Sequence, residues 1–96
     1  RVIQHFRTST PALEYPHLTM QADLSKEKEL IHAFNNAISV SGRLDVLINN
    51  SGVYHARLPH ELSEQEWFEG FNSTSTAAFF MMRTALPLLR RSARPR

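Results

Sequence analysis

The sequence predicts an α/β fold built on a parallel sheet, and three observations lead to this class. Apolar runs of strand length and stretches of helical spacing follow one another in the order strand, strand, helix, strand, helix. Residues 44–48 form a nearly uniform apolar run, which is typical of a strand buried in a parallel sheet. Ser63 and Glu66 form a capping box directly before Trp67, which marks the start of a helix.

The first half of the chain contains two predicted strands and one predicted helix. Residues 2–6 form the first strand, residues 8–11 a loop, and residues 17–22 the second strand. Ser25 is the predicted N-cap of the helix. Apolar residues then recur at helical spacing, at Leu30, Ile31, Phe34, Ala37 and Ile38. Gly42 lies just after the predicted helix, where a glycine in the left-handed backbone conformation commonly ends a helix.

The second half is predicted to be one strand followed by one long helix. The strand over residues 44–48 ends at the polar residues 49–52. The helix spans residues 64–89 and carries a broad apolar stripe at Trp67, Phe68, Phe71, Ala78, Phe79, Met82, Leu86 and Leu89. The polar residues 72–76 interrupt this stripe, and Pro87 must kink or end the helix.

Composition limits the classes of protein to which the chain can belong. A length of 96 residues allows one small domain, and 42% hydrophobic residues indicate a folded chain. The longest apolar run, residues 77–82, is too short for a membrane span. There is no cysteine, which fits a reducing compartment such as the cytoplasm, and the five histidines show no metal-binding spacing.

The positive charge is concentrated at one end of the sequence. Four arginines fall within the last seven residues, and the remainder of the chain is slightly acidic. We therefore predict a main body over residues 1–91 and an arginine-rich tail over residues 92–96. Because the excess charge lies on this tail rather than on a face with interleaved aromatic residues, a nucleic-acid partner is not expected.

A polar motif follows the apolar run: residues 44–52 read Leu-Asp-Val-Leu-Ile-Asn-Asn-Ser-Gly. This stretch resembles the short-chain dehydrogenase/reductase family, whose strand-end signature is Asn-Asn-Ala-Gly, with Ser51 as the one departure. Four other features match the family in order: Ala22-Asp23-Leu24-Ser25, Gly42 with Leu44-Asp45, Trp67 followed by Asn72, and Arg83 through Pro87. The resemblance covers essentially the whole chain.

The resemblance implies a partial Rossmann-type, doubly wound parallel sheet. The chain would extend from the family's second strand to the helix after its fourth strand, as an internal fragment without the first strand. In the family that first strand lies between the second and the fourth. We therefore expect the isolated chain to be marginally stable or prone to aggregation, or to pair residues 44–48 directly with residues 2–6.

The resemblance also implies residues that bind a dinucleotide. Asp23 would bond the adenine amino group, with Leu24 lining the adenine pocket, although Asp23 is also a plausible cap at the helix entry. Asn50, Ser51 and Gly52 would flank the adenosine ribose, where glycine lets the cofactor approach the backbone. Whether the Ser51 hydroxyl bonds the cofactor or the sheet stays open.

Arg7 follows the first predicted strand, where this fold distinguishes the ribose 2′-hydroxyl from its phosphate. An arginine there suits the phosphate, so Arg7 with Thr8 and Ser9 favours NADP(H) over NAD(H). The alternative is an arginine in a solvated loop. Phe6-Arg7-Thr8 with Pro11-Ala12 further resembles the pteridine and dihydromonapterin reductase branch.

Asn72 matches the family's helix asparagine, which holds a proton-relay water behind the catalytic lysine. The alternative is that the polar residues 72–76 only form a local bulge or kink in the helix. The family's Gly-rich loop, catalytic serine and Tyr-x-x-x-Lys pair are absent from the sequence. Neither Tyr15 nor Tyr54 is followed by a lysine four residues later.

The predicted function is that of a fragment of an NADP(H)-dependent oxidoreductase. The full enzyme would transfer a hydride between the nicotinamide and a carbonyl, alcohol or pterin-like substrate, and would form a homo-oligomer, whereas the fragment alone would be inactive. The alternative is a noncatalytic remnant that associates through the helix over residues 64–89. We expect neither a nucleic-acid nor a membrane partner and no bound metal.

Overall fold

A computed structural model of the chain describes residues 1–9, 12, 14 and 16–96. Two short strands, β1 (Ile3–Phe6) and β2 (Leu18–Gln21), pair in parallel along their whole length. Both predicted strands are confirmed. The predicted loop over residues 8–11 lies partly outside the described residues, because it includes Thr10 and Pro11.

Helix α1 (Glu27–Ser39) follows β2 and begins without a side-chain cap. Its N-cap residue is Lys26, so the prediction that Ser25 caps the helix is wrong. The Ser25 hydroxyl instead donates to the Asp23 carboxylate, 2.6 Å away. The Glu29 carboxylate, in the first turn, accepts the backbone N–H of Asp23 at 2.8 Å.

The turn after α1 is set by Gly42, as the sequence predicts. Gly42 has a φ of +62°, in the left-handed region that residues with a side chain rarely adopt. Its N–H donates to the Ile38 carbonyl at 2.7 Å, which satisfies one of the last carbonyls of the helix. The backbone conformation itself therefore favours glycine at this position.

Residues 44–48 do not form the predicted strand. They carry no ladder of strand hydrogen bonds, and Val46 and Ile48 are 48% and 80% exposed. The expected pairing with residues 2–6 is also absent, since the sheet formed by the described residues contains β1 and β2 alone. Leu44 and Leu47 pack against the core, but a strand buried in a sheet needs a neighbouring strand along its edge, and neither β1 nor β2 pairs with residues 44–48.

The last residues of the chain contact this segment. The Leu47 N–H donates to the Arg96 carbonyl and the Arg96 N–H donates to the Asp45 carbonyl, both at 2.9 Å. Arg96 is thus bonded to the residues on both sides of Val46. Between parallel strands, a residue bonds to its partner strand in the same way. The Ser92 hydroxyl donates to the Asp45 carboxylate. The arginine-rich segment thus contacts the body of the chain while its arginines are exposed.

The capping box predicted before the second helix is confirmed. Helix α2 (Glu64–Phe71) begins at Ser63, whose hydroxyl accepts the Glu66 N–H at 3.1 Å. The Glu66 carboxylate in return accepts the Ser63 N–H at 3.0 Å. The backbone N–H and hydroxyl of Ser63 hold the pKa of Glu66 below its ordinary value, because they stabilise the ionised carboxylate.

The predicted interruption of the long helix is a turn of π-helix. Residues Asn72–Thr76 form this turn, and helix α3 (Ala77–Leu89) continues from it. The Ala77 N–H donates to the Asn72 carbonyl five residues earlier, which is the π-helical hydrogen bond. Pro87 lies inside α3, which ends two residues beyond it. The predicted bounds of the helical segment, residues 64–89, are confirmed.

The core lies between α1, α3 and the sheet. Each helix contributes three buried residues at spacings of four, and the segment around β2 contributes three more: Leu30, Phe34 and Ile38; Ala77, Met81 and Ala85; Met20, Ala22 and Leu24. Ala77 and Ala85 are fully buried, and their small side chains allow α1 to pack closely on α3. Arg83 and Glu27 form an ion pair between the two helices at their exposed margin.

Many of the other large apolar residues of the long helical segment face solvent. Six large ones are between 43% and 58% exposed: Trp67, Phe68, Phe71, Phe79, Met82 and Leu86. None of the eight residues of the predicted stripe is buried, and the helix turns Ala77, Met81 and Ala85 to the core instead. An exposed apolar face of this extent is typical of a surface that contacts another molecule.

Candidate functional site

A cavity of about 260 Å³ lies where β1, β2 and residues 44–48 end. Residues 5–7 and 22–25 line one side, and residues 50–53 with Ser73 of the π-helix line the other. In open parallel sheets, ligands bind beyond the carboxyl ends of the strands, as in this position.

Six of the predicted site residues line this cavity. They are Arg7, Asp23, Leu24, Asn50, Ser51 and Gly52. They come from three separate segments of the sequence, so the fold has brought them together. Thr8 and Ser9 lie in the exposed bend that begins at Arg7 and do not line the cavity. Their contact with a cofactor stays a prediction.

Asp23 is a half-buried carboxylate on the cavity wall. One of its oxygens accepts the Ser25 hydroxyl at 2.6 Å and the Ser25 N–H at 3.0 Å. The hydroxyl bond is the main cause that holds the pKa of Asp23 below its ordinary value, and the charges of Lys26 and Arg7 act in the same direction. Asp23 therefore has the local structural role at the helix entry that was the alternative to adenine binding. It also presents an ionised carboxylate as a hydrogen-bond acceptor at the cavity.

Arg7 is an exposed residue at the cavity and directly follows β1. Its carbonyl accepts the side-chain amide of Gln21 at 3.2 Å, which ties the end of β1 to the end of β2. Its positive charge lies close enough to Asp23 to contribute to the lowered pKa of that carboxyl group. The site thus contains a cation and an anion from the ends of neighbouring strands.

His5 is a cavity residue that sequence reasoning missed. Its ring joins the two strands, because Nε2 lies 2.8 Å from the Ala22 carbonyl. A carbonyl can only accept, so Nε2 carries the proton in this contact. The one available signal was a polar residue inside an apolar strand. The scattered spacing of the five histidines gave no reason to separate His5 from the others.

Two serine hydroxyls fasten residues 51–53 to the π-helix. The Ser73 hydroxyl accepts the Val53 N–H at 2.9 Å and donates to the Gly70 carbonyl at 3.2 Å. The Ser51 hydroxyl donates to the Ser73 carbonyl at 3.2 Å. Ser51, whose role the sequence left open, therefore bonds the helix.

Gly52 lies directly against the π-helix. A Cβ atom at this position would be 3.0 Å from the Thr74 Oγ1 atom, closer than nearly all real contacts of that kind. Gly52 does not have a positive φ, which among the described residues occurs only at Gly42. The close approach of Thr74, and not the backbone conformation, therefore favours glycine here.

Asn72 lies outside the group of residues around the cavity. It is exposed, and its side-chain oxygen accepts the Thr76 hydroxyl at 3.1 Å. The π-helix presents Ser73 and Thr74 to residues 51–53 instead. The proton-relay role of Asn72 stays a prediction.

Other features of the described chain limit the kinds of site that it contains. A groove of about 380 Å³ lies between β2 and α1, but its described lining includes no arginine, lysine or carboxylate for an anionic ligand. No group of three or more histidine or carboxylate side chains in the described ranges could hold a metal ion. Among the helices that the structure describes, none has both the length and the apolar character needed to cross a membrane.

The parallel strand pair, the helix α1 that packs on β2 and a cavity beyond the strand ends are the features of a Rossmann-type α/β protein. The family model of the short chain dehydrogenases matches residues 3–95. The chain belongs to this family, and the resemblance read from residues 44–52 is confirmed.

Individual relatives agree with this assignment. A short-chain dehydrogenase/reductase of Pestalotiopsis microspora is 34% identical over 77 residues, which cover 80% of this chain and 29% of that protein. Glucose 1-dehydrogenase 2 of Bacillus subtilis (strain 168) is 33% identical over 70 residues, which cover 72% of this chain and 27% of the relative. The chain therefore spans less than a third of the length of these curated relatives.

Solved structures show the same fold. The 3-ketoacyl-(acyl-carrier-protein) reductase of Brucella melitensis, complexed with NADH, matches 75% of this chain and 30% of its own, with a TM-score of 0.71 and 27% identity. A short-chain dehydrogenase/reductase of Serratia marcescens, an F98L/F202L mutant, matches 92% of this chain and 40% of its own, with a TM-score of 0.79. At 21% identity, that second likeness shows the fold alone.

We predict that Gly52→Ala destabilises the natural protein that contains this chain, and that Thr74→Ala rescues it. Gly52→Ala should lower the free energy of unfolding by about 0.5–1.5 kcal/mol, because the exposed Thr74 side chain has to move away from its preferred rotamer to make room. Adding Thr74→Ala removes the Oγ1 atom at 3.0 Å and leaves only the Cβ at 4.0 Å, so most of the loss should be recovered. Urea unfolding measures both changes.

Gly70→Ala is the matched control for this prediction. A Cβ at position 70 would meet its nearest neighbour, the Val53 carbonyl oxygen, at 3.7 Å, which is an ordinary contact. This variant should be as stable as the unsubstituted protein or slightly more stable, because alanine favours the helix. A double variant no more stable than Gly52→Ala alone would contradict the role given to Thr74.

We also predict that Ser25→Ala raises the pKa of Asp23 towards the ordinary range of an aspartate. In the folded protein that pKa is lowered, so the associated stabilisation is present above the unfolded-state pKa and is lost as the pH falls through the folded-state pKa. The stability difference between Ser25→Ala and the unsubstituted protein should therefore shrink as the pH falls below about 4. NMR titration of the Asp23 carboxyl carbon measures the pKa. Ser39→Ala is the control, and an equal Asp23 pKa in all three proteins would disprove the prediction.

Proposed function

We propose that this chain is the cofactor-binding part of an NADP(H)-dependent oxidoreductase. The enzyme would transfer a hydride between the nicotinamide and a carbonyl or alcohol substrate. The observation that carries the proposal is the single cavity lined by Arg7, Asp23, Leu24 and residues 50–52. The chain by itself would be inactive, because its sequence lacks the family's Gly-rich loop, catalytic serine and Tyr-x-x-x-Lys pair.

In this proposal the two charged residues bind opposite features of the adenosine. The Asp23 carboxylate, ionised and already fixed by Ser25, would accept the adenine amino group, and Leu24 would pack on the ring. The Arg7 guanidinium would bind the 2′-phosphate in bidentate fashion, with Thr8 and Ser9 as further donors. Residues 50–52 would flank the ribose.

The proposed carbonyl or alcohol substrate follows from the reactions for which related proteins are named. Glucose 1-dehydrogenase and 3-ketoacyl-(acyl-carrier-protein) reductase are both named for reactions between carbonyls and alcohols. A pterin-like substrate has weaker support, because it depends only on Phe6-Arg7-Thr8 and Pro11-Ala12.

Asn72 would hold a water molecule that relays the proton which accompanies hydride transfer. We further propose a cytoplasmic homo-oligomer, and a body over residues 1–91 with residues 92–96 as its tail.

Replacing Arg7 tests the cofactor proposal. In the natural protein that contains this chain, Arg7→Ala should raise the Kd for NADPH by about tenfold or more, since it removes charge-assisted hydrogen bonds. Binding of NADH, which has no 2′-phosphate, should change little. Fluorescence titration with both nucleotides measures the two constants.

The control for this test is Arg94→Ala, which removes an exposed arginine near the end of the described chain. It should leave both Kd values unchanged. Equal affinity of the unsubstituted protein for NADPH and NADH, or an equal loss of both in Arg7→Ala, would contradict the preference for NADP(H).

A second candidate function is association through the long helical segment without catalysis. The observation that favours it is the exposed apolar face of α2 and α3, which includes the stacked rings of Trp67 and Phe71, 6.5 Å apart. Such a face is also compatible with an active oligomeric enzyme, so nucleotide binding distinguishes the two candidates.

The double variant Trp67→Ser/Phe71→Ser tests association. If the helical face pairs subunits, this variant should be monomeric in sedimentation equilibrium at concentrations where the unsubstituted protein is not. Ile48→Ser, which replaces an 80% exposed apolar residue outside the helix, should not change the mass. An oligomer that both variants leave intact would rule out this face as the contact.

A further inference from the structure

The π-helix changes which hydrogen bond reaches the Ser73 carbonyl. In an α-helix the Ala77 N–H would donate to Ser73, four residues earlier. Here it donates to Asn72, five residues earlier, and to Thr74. The Ser51 hydroxyl donates to the Ser73 carbonyl at 3.2 Å. Ser51, in the loop that lines the cavity, thus supplies a donor to the carbonyl that has lost its regular α-helical hydrogen bond.

The Ser73 side chain makes a second link to the same loop. Its hydroxyl donates to the Gly70 carbonyl and accepts the Val53 N–H, so it bridges α2 to the loop backbone. The bonds at Ser51 and Val53 lie on either side of Gly52, which has no side chain to hold the loop away from Thr74. Residues 51–53 are therefore bonded to the helix at two positions, Ser51 and Val53, on either side of Gly52.

These contacts determine where one wall of the cavity lies. Residues 50–53 and Ser73 form that wall, and residues 5–7 and 22–25 form the other. The second wall is held by separate contacts, including the bond from His5 to the Ala22 carbonyl. The spacing between the walls therefore depends on how closely residues 51–53 lie on the π-helix.

We propose that Ser51 and Ser73 are positioning residues for the dinucleotide. Their hydroxyl groups hold residues 50–53 on the π-helix and so keep the cavity at the width that the adenosine part of the cofactor requires. This inference rests on the proposed function. Neither hydroxyl acts on the reacting atoms, so their loss changes the affinity for the cofactor and not the rate of the chemical step.

The test uses Ser73→Ala, Ser73→Thr and Ser75→Ala in the natural protein that contains this chain. NADPH titration gives the Kd, hydrogen exchange without nucleotide gives the protection of the Val53 amide, and steady-state kinetics separate KM from kcat. Ser73→Ala should raise the Kd and KM for NADPH roughly fivefold, the effect of one hydrogen bond, with kcat unchanged. It should also speed exchange at Val53, since the amide loses its acceptor.

Two variants serve as controls. Ser73→Thr keeps the hydroxyl and should restore both the affinity and the protection of Val53. Ser75→Ala removes an exposed hydroxyl from the same π-helix and should change neither. A general loss of stability would not show this pattern of rescue by threonine.

The remaining outcomes separate this inference from the proposed function. If the unsubstituted protein binds NADPH and Ser73→Ala binds it equally well, the inference is overturned and the proposed function stands. Unchanged exchange at Val53 in Ser73→Ala also overturns it, because the bond would not be holding the loop. Failure of the unsubstituted protein to bind either nucleotide overturns the proposed function and this inference with it.

Discussion

The packing of α1 on α3 is the contact on which the rest of the structure depends. Two strands of four residues cannot cover a core by themselves, so the apolar side of β2 is buried by helices. Leu30, which is fully buried, lies within this core, and the small residues Ala77 and Ala85 allow the helices to approach each other. Because α3 continues the π-helix, this packing also determines where residues 50–53 are held.

The candidate site therefore has two walls with different origins. One wall consists of strand ends, joined by the bonds of His5 to Ala22 and of Gln21 to Arg7. The other is a loop without regular hydrogen-bonded structure, which is held by the Ser73 hydroxyl of the helix and by its own Ser51 hydroxyl, bonded to the Ser73 carbonyl. A site of this kind combines a rigid side, which carries the charges, with a side whose position is sensitive to single hydrogen bonds.

The sequence predicts those parts of the molecule that depend on local chemistry. The capping box at Ser63, the glycine turn at Gly42 and the two strands were readable because short-range hydrogen bonds and periodicity determine them. The strand over residues 44–48 was predicted wrongly, since apolar character shows the tendency to be buried but not the presence of a neighbouring strand. The contact of Ser51 with Ser73 joins positions 22 residues apart, and no local pattern indicates it.

The π-helix has a consequence for the orientation of everything that follows it. Each helical residue advances the direction of the side chains by about 100°, so one additional residue in a turn rotates the rest of the helix by about that angle. This rotation lets a single helical segment direct Ser73 and Thr74 to the loop and Ala77, Met81 and Ala85 to α1. Deleting one residue between 72 and 76 would rotate α3 relative to residues 73 and 74. The segment could then not contact both the cavity loop over residues 51–53 and helix α1.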